Sequence, residues 1–346
     1  MEPVKVLVVD DSRMFRTIVR RMFEGQEGYE VVGEAENGRV ALAKVAELDP
    51  DVVVLDVNMP VMDGLTCLKH IMIKSPRPVV MFSTLTEAGA RVTFDSLAYG
   101  AVDFIHKPSR VREENDVEAQ RREVLKKVLL ASRVQSASIK LLRTRERALK
   151  PPRDAAPPKY LFAMGASDGG YGSLLKIIPH LSPDIPGAFV AVLYEEPGDV
   201  DAFARYLDEH SHLNVRRAGD DMPLSVGTCY LATGEEYVTV ETENGRPELR
   251  ISRSPFPGRR GSTNMLMFSM AEAAGENAVG ILLSGSGEDG MEGLSEITRV
   301  GGTAVVQSPR TCLEPETVRM AMRNCNVHLV VPDRDMSARI NKTFAK

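Results

Sequence analysis

The sequence predicts an α/β protein of two doubly wound, mostly parallel-sheet domains joined by a helical linker. The chain has 346 residues, more than one ordinary domain holds. In both halves, short β-branched runs alternate with helix-length segments. Between them lies a proline-rich stretch, PPRDAAPP, which excludes a helix interior. We therefore place the first domain at 1–125, the linker at 126–158 and the second domain at 159–346.

The first domain contains five apolar runs that do not alternate with polar residues. They read VKVLVVD, YEVVGEA, DVVVLDV, PVVMFS and AVDFIHK. Such runs are typical of parallel strands that are covered on both faces. The segments between them predict helices over 13–24, 38–48, 64–74 and 88–98. The expected architecture is flavodoxin-like, a single parallel sheet with helices on both faces.

A charged stretch over 111–149 contains no proline or glycine and predicts a long helix. After the linker, YLFAMG, AFVAVLYE, AVGILLS and TAVVQ predict a second set of parallel strands. The region near 228–252, with GTCYLAT, YVTVE and ELRIS, predicts an antiparallel excursion. Helices are expected over 171–179, 200–209, 263–275, 291–299 and from 315 onward.

Composition excludes several classes of protein. The formal net charge of −5 argues against nucleic-acid binding. No apolar run is long enough to insert into a membrane, and the N-terminus lacks a secretory signal. The four cysteines are scattered, which favours neither a zinc site nor a disulfide framework. The expected location is the cytoplasm.

Polar residues follow four strands of the first domain and predict its site. Asp10 and Asp11 follow the first strand, Asp56 the third, Ser83 the fourth and Lys107 the fifth. Carboxyl ends of parallel strands share one edge of a sheet, so these side chains should converge. Clustered carboxylates favour Mg²⁺, with Asp56 as a nucleophile toward phosphorus. Single aspartates at strand ends also occur as simple loop caps.

The motifs VVDDS, LDVNMPVMDG, MFST and HKPS resemble the receiver domain of bacterial response regulators. The resemblance implies that a histidine kinase phosphorylates Asp56, and that Ser83 and Lys107 bind the phosphoryl group. It implies Mg²⁺ ligation by Asp10, Asp11, Asp56 and the backbone carbonyl of Asn58. It also implies that Phe104 is the switch aromatic, although a core role is equally compatible with the sequence.

In the second domain, GASDGG contains the pattern Gly-x-Ser-x-Gly around Ser167. A serine at such a strand-to-helix turn is a candidate nucleophile. Glycine and serine also make turns without any chemistry. Downstream, LLSGSGEDGMEG places Asp289 after another apolar strand, where it could meet Ser167 across neighbouring strand ends.

Residues 159–325 resemble CheB-type chemotaxis receptor methylesterases through GASDGG, DDMPLSVGTCYLATG, STNMLMF and SGSGEDG. These serine hydrolases demethylate and deamidate receptor glutamyl and glutaminyl side chains. The resemblance makes Ser167 the nucleophile and Asp289 the orienting carboxylate. The family has Gln-His-Met-Pro after its second strand, whereas this chain reads YEEP from Tyr194, so Glu195 stands in place of the histidine.

A carboxylate at this position changes the proton chemistry. A carboxylate is a weaker base than imidazole by roughly two pKa units, about 3 kcal/mol of driving force. Asp168, beside the serine, adds negative charge where the oxyanion would form. His180, His210 and His212 could replace the base only if one of them reached the serine hydroxyl, and we expect them at helix ends or loops.

The sequence therefore predicts a two-component response regulator whose CheB-like domain is catalytically degenerate and binds partners under phosphorylation control. The expected partners are a histidine kinase and a chemoreceptor or another chemosensory protein. Two alternatives stay open. One is an active methylesterase and deamidase that uses Ser167 with an unconventional base such as Glu195. The other is a phosphate sink in which only the receiver matters.

Overall fold

The computed structural model describes residues 2–83, 87–107, 114–134, 157–253 and 261–345. The chain divides into two compact units, Met1–Arg143 and Thr144–Lys346, so the boundary falls outside the described ranges. In the described ranges, no helix has the length and apolar character needed to span a membrane.

The first unit is a five-stranded parallel sheet with strand order β2-β1-β3-β4-β5. Its strands are β1 Val4–Val9, β2 Tyr29–Ala35, β3 Val52–Asp56, β4 Val79–Ser83 and β5 Asp103–His106. Its helices are α1 Arg13–Phe23, α2 Gly38–Leu48, α3 Gly64–Lys74, α4 Glu87–Ala98 and α5 Glu114–Ser132. Strands β3 and β4 are buried along their whole length, which confirms the prediction from their uninterrupted apolar runs.

Helix α5 differs from its prediction. It ends at Ser132 and a turn follows, so the helix predicted over 111–149 does not continue through residues 133 and 134. Residues 135–149 lie outside the described ranges. Val128 and Ala131 lie in the core of the first unit, although the predicted first domain ends at residue 125. Burial of this apolar face holds α5 on the sheet.

The second unit is built on a seven-stranded sheet with order β15-β14-β13-β6-β7-β10-β8, and its neighbouring strands are parallel. Strands β11, β12 and β9 form a separate sheet. The strands are β6 Tyr160–Ala166, β7 Gly187–Leu193, β8 Asn214–Arg217, β9 Met222–Pro223, β10 Thr228–Thr233, β11 Glu236–Glu243, β12 Arg246–Arg253, β13 Ala278–Leu282, β14 Thr303–Gln307 and β15 Leu329–Val331. The helices are α6 Gly170–Ile177, α7 Pro197–His210, α8 Ser262–Ala274, α9 Met291–Arg299, α10 Glu316–Asn324 and α11 Asp333–Phe344.

The prediction for GTCYLAT was wrong. This segment is β10, which pairs in parallel with β7 and β8 in the main sheet instead of joining the antiparallel excursion. All six of its residues are buried, as expected for a strand covered on both faces. The antiparallel sheet consists of β11, β12 and β9, and β11 carries Val238 and Val240 inward between more exposed residues.

The order β13-β6-β7 brings three carboxyl strand ends side by side. Ser167 follows β6, Tyr194 follows β7 and the loop to Asp289 follows β13. Loops at the carboxyl edge of a parallel sheet are where such folds build their sites.

Candidate functional sites

The first unit holds an acidic cluster at the carboxyl edge of its sheet. Carboxylate oxygens of Asp10, Asp11 and Asp56 lie within 4.8 Å of one another. Asp10 and Asp56 are buried, whereas Asp11 is exposed. The Lys107 ammonium lies 2.6 Å from Asp10 Oδ2 and 2.8 Å from Asp56 Oδ2. The structure thus brings together four of the residues that the strand ends predicted.

Electrostatics single out Asp56 within this cluster. Burial raises the pKa of Asp56 above its ordinary value of 3.8, opposed by the hydrogen bond and charge of Lys107. The charge of Asp10 raises this pKa further, while the Asn58 backbone N–H lowers it by donating to the carboxylate. Three converging carboxylates with one open, exposed member fit an oxygen-ligated divalent cation such as Mg²⁺.

Ser83 is buried at the end of β4, and its hydroxyl contacts a hydroxyl on helix α4. Ser83 Oγ lies 2.6 Å from Thr93 Oγ1 on α4. The Thr93 hydroxyl donates to the Gly89 carbonyl at 2.8 Å. Because a hydroxyl has only one proton, Ser83 is the donor in the pair. Sequence reasoning missed Thr93, since nothing marks one threonine on a helix as a partner.

Phe104 occupies a buried position in β5. Its ring packs edge-on against Phe94, with centroids 6.1 Å apart, and against His106 at 5.2 Å. Lys127 on α5 donates to the Phe104 carbonyl at 2.6 Å. The aromatic is therefore tied both to α4, through Phe94, and to α5, through Lys127.

In the second unit, Ser167 stands at the tight turn between β6 and α6. Its backbone N–H donates to the Ser284 carbonyl at 3.0 Å. Its Oγ accepts from the Ser286 backbone N–H at 3.0 Å. A Cβ at Gly285 would lie 2.3 Å from this Oγ, so a glycine is needed for the two loops to approach.

Asp168 is held beside the serine by two hydroxyls. Ser286 Oγ donates to Asp168 Oδ2 at 2.7 Å, and the buried Ser284 hydroxyl donates to the Asp168 carbonyl oxygen at 2.6 Å. Ser286 therefore contacts both residues, since its hydroxyl donates to the Asp168 carboxylate and its backbone N–H donates to Ser167 Oγ. Neither Ser284 nor the hydroxyl of Ser286 was predicted to do this, because their pairing depends on which strands lie adjacent.

Asp289 is bonded to groups other than the serine. Its Oδ2 accepts from the Thr263 backbone N–H at 2.8 Å and its Oδ1 from the Asn264 N–H at 3.1 Å. The Tyr194 hydroxyl donates to Oδ2 as well. Burial, and then the charge of Asp289, raise the pKa of Tyr194, which is therefore a neutral donor. Among the described residues, no hydrogen bond joins Ser167 to Asp289.

Glu195 is half-buried, and its backbone carbonyl accepts from the Thr233 hydroxyl at 2.7 Å. Of the histidines considered as substitute bases, His180 accepts at its backbone carbonyl from Asn341. The His210 ring stacks on a tyrosine of its own helix, at 4.2 Å between centroids. Within the described ranges, Ser167 Oγ accepts a hydrogen bond from the Ser286 N–H, and no imidazole forms a hydrogen bond with this oxygen.

Comparisons with known proteins agree with the division into two units. The family model described as CheB methylesterase matches residues 162–340, and the response regulator receiver domain model matches residues 6–115. A Pyrococcus horikoshii protein, named protein-glutamate methylesterase/protein-glutamine glutaminase, is 35% identical over 95% of this chain and 90% of its own. A Geobacillus kaustophilus protein of the same name is 36% identical over 98% of each chain. In fold, the second unit is similar to the CheB methylesterase catalytic domain of Thermotoga maritima, with a TM-score of 0.51, 24% identity and coverage of 53% of this chain and 98% of that one.

Proposed function

The chain belongs to the CheB methylesterase family and carries a receiver domain, and we propose from this that it is a response regulator. Phosphorylation would control its activity, and chemoreceptors would be its targets. Its second unit binds receptor segments that carry glutamyl methyl esters or glutamines. It binds these segments without Ser167-dependent hydrolysis at a useful rate. The protein would work in the cytoplasm, where receptor signalling regions and a histidine kinase are available.

In the receiver, the Asp56 carboxylate would attack the phosphorus of a phosphohistidine, and the phosphorus–nitrogen bond would break. Asp10, Asp11 and Asp56, with the Asn58 carbonyl, are the proposed ligands of Mg²⁺, which would neutralise phosphoryl oxygens when bound. Lys107 already bridges Asp10 and Asp56, so its ammonium is placed to pair with the incoming oxygens.

Phosphorylation of Asp56 would change the contacts between the phosphorylation site and α4. Ser83 would turn its hydroxyl from Thr93 toward a phosphoryl oxygen, and a bond that ties β4 to α4 would be lost. Phe104 packs against Phe94 of the same helix, which fits a role for this aromatic in the switch. A modification shifts a conformational equilibrium only through such differential contacts.

For the second unit, the proposal depends on the hydrogen bonds of Ser167 and Asp289. Ser167 Oγ accepts from the Ser286 backbone N–H, and among the described residues no imidazole is bonded to it to act as a base. Asp289 receives the Tyr194 hydroxyl instead of a base. Loss of the histidine alone from a serine hydrolase costs up to about 10⁶ in turnover. This supports binding with little hydrolysis.

A second candidate is an efficient esterase and amidase that uses Ser167 with a carboxylate base. Relatives named for this activity align over nearly the whole chain, which favours it. Glu195 stands where the resemblance places the base. This candidate retains the same substrates and the same nucleophile and differs in rate.

Methanol release from methylated receptors separates the two candidates. We expect the chain to release methanol no faster than its Ser167→Ala variant, and a clear Ser167-dependent release would establish the second candidate.

Binding is tested by capture of the protein on a receptor cytoplasmic region with and without beryllofluoride as a phosphoryl mimic. Binding should respond to beryllofluoride in the unaltered chain but not in Asp56→Asn. An equal response in both would contradict the proposal.

A further inference from the structure

Asp289 has a nearly complete set of hydrogen-bond partners. An ionised carboxylate offers about four lone-pair sites. Three donors already point at Asp289: the backbone N–H groups of Thr263 and Asn264, and the hydroxyl of Tyr194. The two N–H groups open α8 and cannot leave without breaking the helix terminus. The tyrosine is the one donor of the three that a single substitution removes.

The fold fixes Tyr194 in this position. Its backbone N–H donates to the Ala166 carbonyl at 3.1 Å, next to Ser167. Its ring packs against the core of the second unit. A Cβ at Gly234 would lie 2.1 Å from a ring carbon, so the glycine leaves the space that the ring fills. The hydroxyl therefore reaches Asp289 from a side chain that is held on two sides.

The hydroxyl of Tyr194 occupies an acceptor site on Asp289 that an imidazole N–H would otherwise use. Its pKa is raised by burial and by Asp289, so it holds its proton and cannot serve as a base. Asp289 can orient an imidazole only by accepting its N–H, and at Oδ2 both lone-pair sites are already used by the Thr263 N–H and the Tyr194 hydroxyl. Tyr194 precedes Glu195, the position at which the resemblance places the base.

We propose that Tyr194 is a positioning residue that keeps Asp289 from orienting a base beside Ser167. Two neighbouring residues, Tyr194 and Glu195, then both prevent ester hydrolysis by Ser167. This rests on the proposed function. It implies that a histidine placed at position 195 alone stays uncoupled from Asp289. Removing the tyrosine hydroxyl as well would free a lone-pair site on Oδ2 for the N–H of the ring.

The test compares Glu195→His with Tyr194→Phe/Glu195→His in the full chain. NMR titration follows the introduced imidazole, and p-nitrophenyl acetate serves as an ester that needs no receptor contact. In the double variant we expect the pKa of the introduced imidazole to be higher by about 1, as a carboxylate neighbour causes. Hydrolysis that depends on Ser167 should be about 10²-fold faster than in Glu195→His.

A matched control is Tyr230→Phe/Glu195→His. The Tyr230 hydroxyl is also bonded, to the Pro223 carbonyl at 2.7 Å, but does not reach Asp289. This control should behave like Glu195→His. An imidazole with the same pKa in Glu195→His and the double variant would overturn the proposal, as would equal gains in the Tyr230 control.

Variants that fail to fold can be replaced by chemical rescue. Free imidazole should accelerate ester hydrolysis by Tyr194→Phe/Glu195→Gly and not by Glu195→Gly, and equal acceleration of both would refute the role of Tyr194. The outcome is separate from the proposed function. Rapid methanol release by the unaltered chain would contradict that function, whatever pKa the introduced imidazole shows.

Discussion

Asp289 should contribute more to stability than a surface carboxylate, and Asp289→Ala measures how much. The substitution removes the acceptor of two N–H groups at the start of α8, which costs about 1 kcal/mol as the loss of an N-cap. It also removes the carboxylate that accepts from the Tyr194 hydroxyl, at about 1 to 3 kcal/mol. The sum is a loss of about 2 to 4 kcal/mol.

Thermal unfolding of the second unit is the assay. For a unit of about 200 residues, each kcal/mol lowers Tm by about 2 to 4 °C, so the expected decrease is about 4 to 16 °C. Hydrogen exchange at the Thr263 and Asn264 amides gives a local measure that does not require two-state unfolding. Both amides should lose protection in the variant.

Asp63→Ala is the matched control, because Asp63 caps α3 in the first unit through the Thr66 N–H at 2.7 Å. No tyrosine hydroxyl donates to Asp63 among the described residues, so Asp63→Ala should lower the free energy of unfolding of the first unit by only about 1 kcal/mol. Adding Tyr194→Phe to Asp289→Ala should recover about 1 kcal/mol, since the hydroxyl that lost its carboxylate acceptor is removed as well. A loss below about 0.5 kcal/mol for Asp289→Ala, or no coupling to Tyr194, would refute the assignment of these contacts.

Three further predictions concern the two sites. Because the folded-state pKa of Asp56 is raised, its ionisation destabilises the receiver as pH rises from about 3.8 through that raised value. Urea unfolding without Mg²⁺ at neutral pH should therefore find Asp56→Asn more stable than the unaltered chain, and a less stable variant would contradict the raised pKa. Lys107→Met leaves the buried carboxylates of Asp10 and Asp56 without their cation, so we expect a loss of about 3 to 5 kcal/mol in EDTA that added Mg²⁺ partly restores; thermal unfolding that Mg²⁺ does not change would argue against the metal site. Ser284→Ala removes a buried hydroxyl that donates to the Asp168 carbonyl, so the second unit should lose about 1 to 3 kcal/mol in urea unfolding; an unchanged midpoint would show that water replaces the hydroxyl.

Much of the first site could be predicted from the sequence because it depends on strand ends. The runs Val6–Val9 of β1 and Val52–Leu55 of β3 are apolar without alternation, and this pattern identifies buried parallel strands, whereas the shorter β5, DFIH, is of mixed polarity. Once those strands are parallel, Asp10, Asp56 and Lys107 must meet at one edge. Their convergence follows from topology, and no detail of side-chain packing is needed.

Side-chain partners in the interior were less accessible to sequence reasoning. Ser83 was expected to bind a phosphoryl group, and the sequence did not indicate that its hydroxyl contacts Thr93 on α4. The segment that forms β10 was assigned to an antiparallel excursion, yet it lies between β7 and β8. Strand pairing is a long-range choice, and a buried apolar run does not say which neighbour it will have.

The sequence by itself determined that two parallel-sheet units follow one another and that Ser167 and Asp289 stand at carboxyl strand ends. It also places Glu195 where the family resemblance leads us to expect a histidine, and the loss of that histidine stays a prediction. The tertiary structure alone decided what Asp289 touches. Its partners come from the start of α8 and the end of β7, which are distant in the chain and adjacent only after the sheet has formed. Hydrogen-bond partners are set by packing in three dimensions, whereas strand and helix patterns are set by neighbours in the chain.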